Sequence, residues 1–358
     1  MEDTQMSDYS IKSSIHDYDV EFIDNTSEVL KNEIRPGDYI IIDNKIKDLY
    51  GDELQYILDS VQYLGIDASE PQKSYEGLMP IIKLLIENGF KKNNRLIAIG
   101  GGITQDVTAF IASILYRGVD WFFFPTSLLA QGDSCIGSKT SINFGEYKNQ
   151  IGGFYPPNKI YINTRFLDTL TLPDLKSGLG EMCHYFIVSG EEDFKRFKNE
   201  YNSALENKII LQGLIMRSLE IKKGYIEIDE FDKKEREVFN YGHTFGHAIE
   251  SLTNYKVPHG IAVSYGMDMS NFVSAKLGYI PDTIRLEIRE LLQQIWEGTD
   301  ISYISVEKYK IALSKDKKNV NRNLGLILNR GYGKIFKELR PMDDQFTEWI
   351  EEYFTTQL

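Results

Sequence analysis

The chain has 358 residues, with 40 Lys and Arg against 53 Asp and Glu, a net charge of −13 and a pI near 5.0. This balance argues against a nucleic-acid binder, whose affinity comes from basic side chains, while 42% hydrophobic residues exclude a disordered chain. Two cysteines, Cys135 and Cys183, exclude a disulfide framework, and no apolar run reaches the ~20 residues of a membrane span.

Residues 1 to about 15 are polar, lack periodicity and read as a loose tail, neither signal nor transit peptide. Tyr39-Ile40-Ile41-Ile42-Asp43 predicts a strand ending on a carboxylate. Leu78 to Gly89 predicts an amphipathic helix stopped by glycine. Leu96-Ile97-Ala98-Ile99 predicts a buried strand running into Gly100-Gly101-Gly102, followed by an apolar helix over Val107 to Leu115. Trp121-Phe122-Phe123-Phe124 predicts another strand, closed by Pro125. This alternation predicts a doubly wound parallel sheet with ligands at the strands' C-terminal ends. After Leu172-Pro173 helical patterns dominate, from Asp174 to about Ala275 and from Thr283 to Gln294. A short strand pair is then predicted, Leu324 to Leu328 and Tyr332 to Ile335. The expected plan is an α/β domain over residues 1–170 and a mostly α-helical domain over 171–358.

Gly100 to Asp106 follows a strand and opens a helix. Glycines there let the backbone approach a pyrophosphate, which the helix amides then hold, although a tight turn needs glycine as well. It is neither the spaced dinucleotide fingerprint nor the P-loop. Asp43, ending an earlier strand, could accept bonds from a ribose. Of five histidines, His243, His247 and His259 fall within seventeen residues. The first two share a helix face, and three together point to a metal or to catalysis. Thr244 replaces the glutamate of a metalloprotease motif, so a carboxylate must come from elsewhere; Glu181, at the start of an apolar helix, is the candidate. Lys139, in the small-residue turn Asp133 to Thr140, suits an anion. With nucleotide and metal, this points to a phosphorylated or carboxylated small substrate.

Together these segments resemble the dehydroquinate synthase family of sugar-phosphate cyclases. The likeness is carried by Gly100 to Asp106, Arg117-Gly118, Pro125 to Ala130, Asp133 to Lys139, Lys148-Asn149, Glu181, Asn240 to Glu250 and His259-Gly260. The resemblance implies a nucleotide-binding α/β domain followed by a helical domain, with Glu181, His243 and His259 holding zinc or cobalt and His247 facing the substrate. It implies that NAD is held by Asp43, Glu70, Lys73, Gly101, Gly102, Ile103, Asp106, Thr126, Ser127, Lys139, Lys148 and the stretch from Phe166 to Thr169. Asp133, Lys139, Asn149, Lys222, Arg236, Asn240, His247 and Lys317 or Lys318 would contact the sugar phosphate. Arg117 would reach a neighbouring subunit's site, which implies a homodimer; the two cysteines point to a reducing cytoplasm as its home. The implied reaction eliminates phosphate from 3-deoxy-arabino-heptulosonate 7-phosphate and closes a carbocycle, as in the shikimate route to aromatic amino acids. NAD would take and return one hydride within each turnover.

Four positions depart from the family pattern. His184 stands for a lysine, Ile261 for a glutamate, Gln105 for a glycine and Ser127 for a threonine. The first two alter charge, which keeps open a paralogous cyclase of the seven-carbon or deoxy-inosose type. Arg236 and Asn240 favour a carboxylate-bearing substrate, because a guanidinium pairs bidentately with a carboxylate. A metal-dependent alcohol or glycerol dehydrogenase shares the two-domain plan but needs no Lys139, Arg236 and Asn240 set. A catalytically dead scaffold would bind metal and NAD without turnover.

Overall fold

The computed structural model describes residues 9–145, 147–315 and 323–358. The chain divides into two compact units, Met1–Leu170 with Lys223–Phe231, and Thr171–Lys222 with Asp232–Leu358. The short stretch from Lys223, which sequence reading leaves in the helical domain, therefore groups with the α/β part.

The first unit is built on strands β1 (Tyr9–Ile11), β2 (Tyr18–Phe22), β3 (Tyr39–Asp43), β4 (Gln62–Ile66), β5 (Leu96–Gly100), β6 (Trp121–Pro125), the hairpin β7 (Lys139–Phe144) and β8 (Tyr147–Phe154), and β9 (Lys159–Ile162). Its helices are α1 (Thr26–Glu33), α2 (Asn44–Leu58), α3 (Tyr75–Glu87) and α4 (Gly102–Ile114). Seven strands form one sheet in the order β1-β2-β9-β6-β5-β3-β4. All neighbours are parallel except the edge pair β1–β2. Ile40 to Ile42, Leu96 to Ile99 and Phe123–Phe124 are wholly buried, as expected of central parallel strands covered on both faces. β1 corrects the expected loose tail: Tyr9, Ser10 and Ile11 pair with Val20, Asp19 and Tyr18. Residues 1–8 lie outside the described residues.

The second unit contains α5 (Leu172–Ser189), α6 (Glu191–Ala204), α7 (Lys208–Ile228, whose end passes into the first unit), α8 (His243–Leu252), α9 (His259–Lys276), α10 (Asp282–Trp296), α11 (Val306–Ser314) and α12 (Asp344–Thr356). It also holds the antiparallel pair β10 (Asn323–Asn329) and β11 (Ile335–Pro341). The second strand thus begins where sequence reading ends it. Gly331 and Gly333, at φ 120 and 70, form the turn and leave Tyr332 to Lys334 outside the ladder. A capping box between Thr171 and Asp174 starts α5. Among the described residues no helix is long and apolar enough to cross a membrane.

Backbone contact at glycine fixes the packing of α5, α8 and α9. A methyl on Gly180 would lie 2.3 Å from the Gly260 carbonyl oxygen, and one on Gly260 would lie 1.7 Å from that of Ser177. The Gly260 N–H also donates to Ser177 Oγ at 3.0 Å. On the other side of α9, a methyl on Gly266 would lie 1.9 Å from the Gly242 carbonyl oxygen. Each contact leaves a functional candidate next to it in sequence: Glu181, His259 and His243.

Candidate functional site

In the first unit, Gly101 caps α4 without a side-chain hydrogen bond, so the first amides of the helix have no side-chain partner. A methyl on Gly102 would meet only Ser134 Oγ, 3.9 Å away. The open space at Gly102, at the start of the helix, fits a pyrophosphate. The Thr126 N–H donates to the Gly100 carbonyl at 3.0 Å, and Ser127 Oγ accepts from the Ala130 N–H at 3.2 Å. Asp43 caps α2 by accepting from the Lys45 N–H at 2.9 Å; burial raises its carboxyl above the ordinary range, against that bond.

Four of the expected cofactor contacts hold one another. Lys73 Nζ lies 2.6 Å from Asp106 Oδ2, and Asp106 Oδ1 accepts from the Ser141 N–H at 3.0 Å. Lys148 Nζ lies 3.1 Å from Glu70 Oε1, whose other oxygen accepts from Asn143 Nδ2 at 2.7 Å. These contacts tie β7 and β8 to the N-terminal half of α4 and to the loop before α3. Burial pushes the Asp106 carboxyl up, with the Lys73 ammonium opposing it. Asn149, at φ 54, accepts from Ser141 Oγ at 3.1 Å.

Asp133 sits on a π-helical turn, Ala130–Ser134. Gln105, one of the family departures, clasps that turn: its Nε2 donates to the Ser134 carbonyl at 2.6 Å, and Ser134 Oγ donates to its Oε1 at 2.7 Å. Lys139 is exposed and opens β7, so it lies just beyond the turn in which the sequence places it. The Phe166 ring is buried 5.0 Å from Tyr50, and Thr169 Oγ1 is 3.1 Å from the Tyr50 hydroxyl. Both side chains pack on Tyr50 of α2. Arg117 is exposed at φ 66, directly after Tyr116 at φ 52.

In the second unit, Glu181 is mid-helix in α5, not at its start as the sequence suggested. Its Oε1 lies 3.4 Å from His243 Nε2 and its Oε2 lies 3.3 Å from His259 Nε2. Burial drives the Glu181 carboxyl upward, but the two imidazoles outweigh it and hold the group well below the ordinary range. Oε2 is buried without a well-formed hydrogen bond, and one ligand atom from each residue lies within 4.8 Å of the others. Tetrahedral zinc with bonds of ~2.0–2.1 Å needs ligand separations of ~3.3–3.4 Å. The separations to His243 and His259 are of that order, one from each carboxylate oxygen, so the three residues lie within reach of one divalent cation.

His259 Nδ1 faces Glu250 Oε1 at 3.1 Å, which fixes Nε2 as the nitrogen presented to Glu181. Sequence reading missed Glu250, although it lies seven residues after His243 on the same helix, a spacing that returns to one face. His247 is exposed and groups with Glu250 and His259, not with Glu181; the undivided histidine trio expected from spacing is corrected accordingly. His184 is fully buried against Tyr185, Phe239 and His243, with Nδ1 3.9 Å from Glu181 Oε1. It packs beside the carboxylate rather than adding to an open surface. Ile261 is buried in α9. Arg236, 4% exposed, and Asn240 share the 3-10 turn Glu235–Asn240, where Asn240 Nδ2 donates to the Glu237 carbonyl at 3.1 Å. Lys222 is buried on α7. Lys317 and Lys318 lie outside the described residues.

Residues 63–177 match the model of the 3-dehydroquinate synthase N-terminal domain, and residues 178–319 match that of the 3-dehydroquinate synthase C-terminal domain. A 3-dehydroquinate synthase of Alkaliphilus metalliredigens (strain QYMF) is 34% identical over 312 residues, covering 86% of this chain and 88% of that protein. The chain belongs to the 3-dehydroquinate synthase family. Solved structures place the family's fold on this chain as well. A 2-deoxy-scyllo-inosose synthase complexed with carbaglucose-6-phosphate, NAD+ and Co2+ aligns with TM-score 0.86 at 23% identity, covering 97% of this chain and 99% of that one. A 2-epi-5-epi-valiolone synthase from Streptomyces hygroscopicus subsp. jinggangensis 5008, with NAD+ and Zn2+ bound, aligns with TM-score 0.84 at 22% identity, covering 98% and 99%.

Proposed function

We propose that this family member is a 3-dehydroquinate synthase, a carbon–oxygen lyase that releases phosphate from 3-deoxy-arabino-heptulosonate 7-phosphate while closing a carbocycle. The observation that carries this reading is the convergence of Glu181, His243 and His259, with one ligand atom of each within 4.8 Å of the others, in a chain about one-third identical to curated 3-dehydroquinate synthases. Glu181, His243 and His259 would hold the divalent cation, zinc or cobalt. Asp43 and the turn from Gly101 to Ile103 would hold NAD, with Glu70, Lys73, Asp106, Thr126, Ser127, Lys139, Lys148 and the stretch from Phe166 to Thr169 around it. When bound, these groups supply a hydride acceptor and a Lewis acid for a secondary alcohol.

The chain's own side chains bind and orient the substrate. Arg236 offers a planar fork suited to a carboxylate, with Asn240 on the same turn. His247, exposed beside Glu250 and His259, is a proton-bearing contact to the sugar. Lys139, Asp133, Asn149, Lys222 and one of Lys317 or Lys318 supply charges and hydrogen bonds to its oxygens and phosphate. Arg117 is assigned to a partner's site in a cytoplasmic homodimer.

Purified protein supplied with NAD and zinc should release phosphate from the heptulosonate without accumulating NADH. Turnover of glucose 6-phosphate or another seven-carbon sugar phosphate instead would move the assignment to a different cyclase. Net NADH production from a simple alcohol would move it to a dehydrogenase. Arg236→Ala should lower kcat/KM for the acidic substrate about 10- to 100-fold, the worth of charge-assisted hydrogen bonds of ~1.5–3 kcal/mol. Unchanged kinetics would remove Arg236 from the site.

A further inference from the structure

Lys139 follows a strained turn. Gly137 is at φ 107 and Ser138, a residue with a side chain, at φ 64. The Lys139 N–H donates to the Gly137 carbonyl at 2.8 Å, closing a γ-turn of the rare positive-φ kind. A non-glycine residue in this region costs on the order of 1–3 kcal/mol and persists only where its surroundings over-determine it. Three contacts do so here. The Gly137 N–H donates to the Tyr18 hydroxyl at 3.0 Å, the Tyr155 N–H donates to the Ser138 carbonyl at 2.6 Å, and Ser138 Oγ donates to Glu230 Oε1 at 3.1 Å.

Glu230 is the unusual member of this set. It is 9% exposed and belongs to Lys223–Phe231, the stretch that leaves the helical unit to join the first. Besides Ser138 it accepts from Ser13 Oγ at 2.5 Å, from the Ser14 N–H at 2.8 Å and from Ser14 Oγ at 2.5 Å. Phe231, next in sequence, packs edge-on against Phe154 of β8 at 4.9 Å. One carboxylate therefore joins the N-terminal segment, the end of the α7 excursion and the turn before Lys139.

We infer that Glu230 is a positioning residue for Lys139: by holding Ser138 in its left-handed conformation it sets the direction in which the lysine leaves the head of β7. This rests on the assignment of Lys139 to the substrate. Backbone rotation at Ser138 would carry the lysine ammonium by ångströms, and a misplacement of about 1 Å can cost about a hundredfold in rate.

The test combines hydrogen exchange with kinetics on the full-length protein. Glu230→Ala should speed amide exchange in the peptide covering residues 136–140 and lower kcat/KM for phosphate release about 10- to 100-fold. Glu230→Gln, which keeps one acceptor oxygen, should lose less. Ser138→Ala leaves the Ser13 and Ser14 bonds in place and should reproduce the kinetic loss even if Glu230→Ala folds poorly. In a Lys139→Met background the Glu230 and Ser138 substitutions should alter the residual rate by less than about twofold, the scatter of uncoupled sites. Losses that repeat in full in that background, or unchanged exchange across 136–140, would overturn the inference. Wild-type protein inactive on the heptulosonate would overturn the functional reading instead, and the exchange result would still decide whether Glu230 holds the turn.

Discussion

In the first unit the candidate side chains ride on a hairpin, on loops and on helix ends, and they keep their places by pairing: Lys73 with Asp106, Lys148 with Glu70, Gln105 with Ser134. In the second unit they stand on helices whose backbones touch at Gly180–Gly260 and Gly242–Gly266, and Glu181 faces two imidazoles in a buried setting. The chemistry each holds explains the difference. A dinucleotide is long and flexible, and a set of adjustable polar contacts can follow it. A small cation with short bonds tolerates little error, which calls for rigid elements.

The largest test of that contrast is metal retention. His243→Ala should leave dialysed protein with almost no bound zinc, whereas His247→Ala should keep about one equivalent and lose activity. Equal loss in both would mean that His247 is a ligand. Next are two glycine substitutions with opposite outcomes. Gly260→Ala drives a methyl into the Ser177 carbonyl oxygen and should destabilise the protein by about 3 kcal/mol or more, read as a lower urea midpoint and lost metal. Gly102→Ala has room for its methyl, so its midpoint should hold while NAD affinity falls by about tenfold, the worth of ~1.4 kcal/mol. A matching loss of stability in Gly102→Ala would show that this glycine serves packing as well.

The smallest effect belongs to an ion pair of the second unit that includes no candidate site residue. Arg217 grips Asp193 with Nε and Nη2 at 2.9 and 2.8 Å, and that hydrogen bonding, more than any other cause, holds the Asp193 carboxyl below its ordinary value. A depressed folded pKa contributes stability that is present above the unfolded value of about 3.9 and lost as pH falls through the folded one. Asp193→Asn should therefore lower the melting temperature slightly at pH 7, by less than about 1 kcal/mol of stability. It should also flatten the acid limb below about pH 4. An unchanged acid limb would remove the pair from the account.

Much of this molecule was legible in its sequence because the signals are local. Tyr39 to Asp43 and Leu96 to Ile99 read as strands from their apolar runs, their alternation with helical patterns read as a parallel sheet, and Gly100 to Gly102 read as a strand-to-helix turn from their place between the two. His243 and His247 fell on one helix because four residues is one turn. What the residues could not decide was rotation and partner. Whether His243 or His247 meets Glu181 depends on how α8 is rolled against α5 and α9, and that roll is set by the contact of Gly242 with Gly266 rather than by either histidine. Glu250 beneath His259, Lys73 against Asp106 and Glu230 against Ser138 are partners 9, 33 and 92 residues apart. No periodicity reaches across such separations, and only chain packing brings these charges to hydrogen-bonding distance.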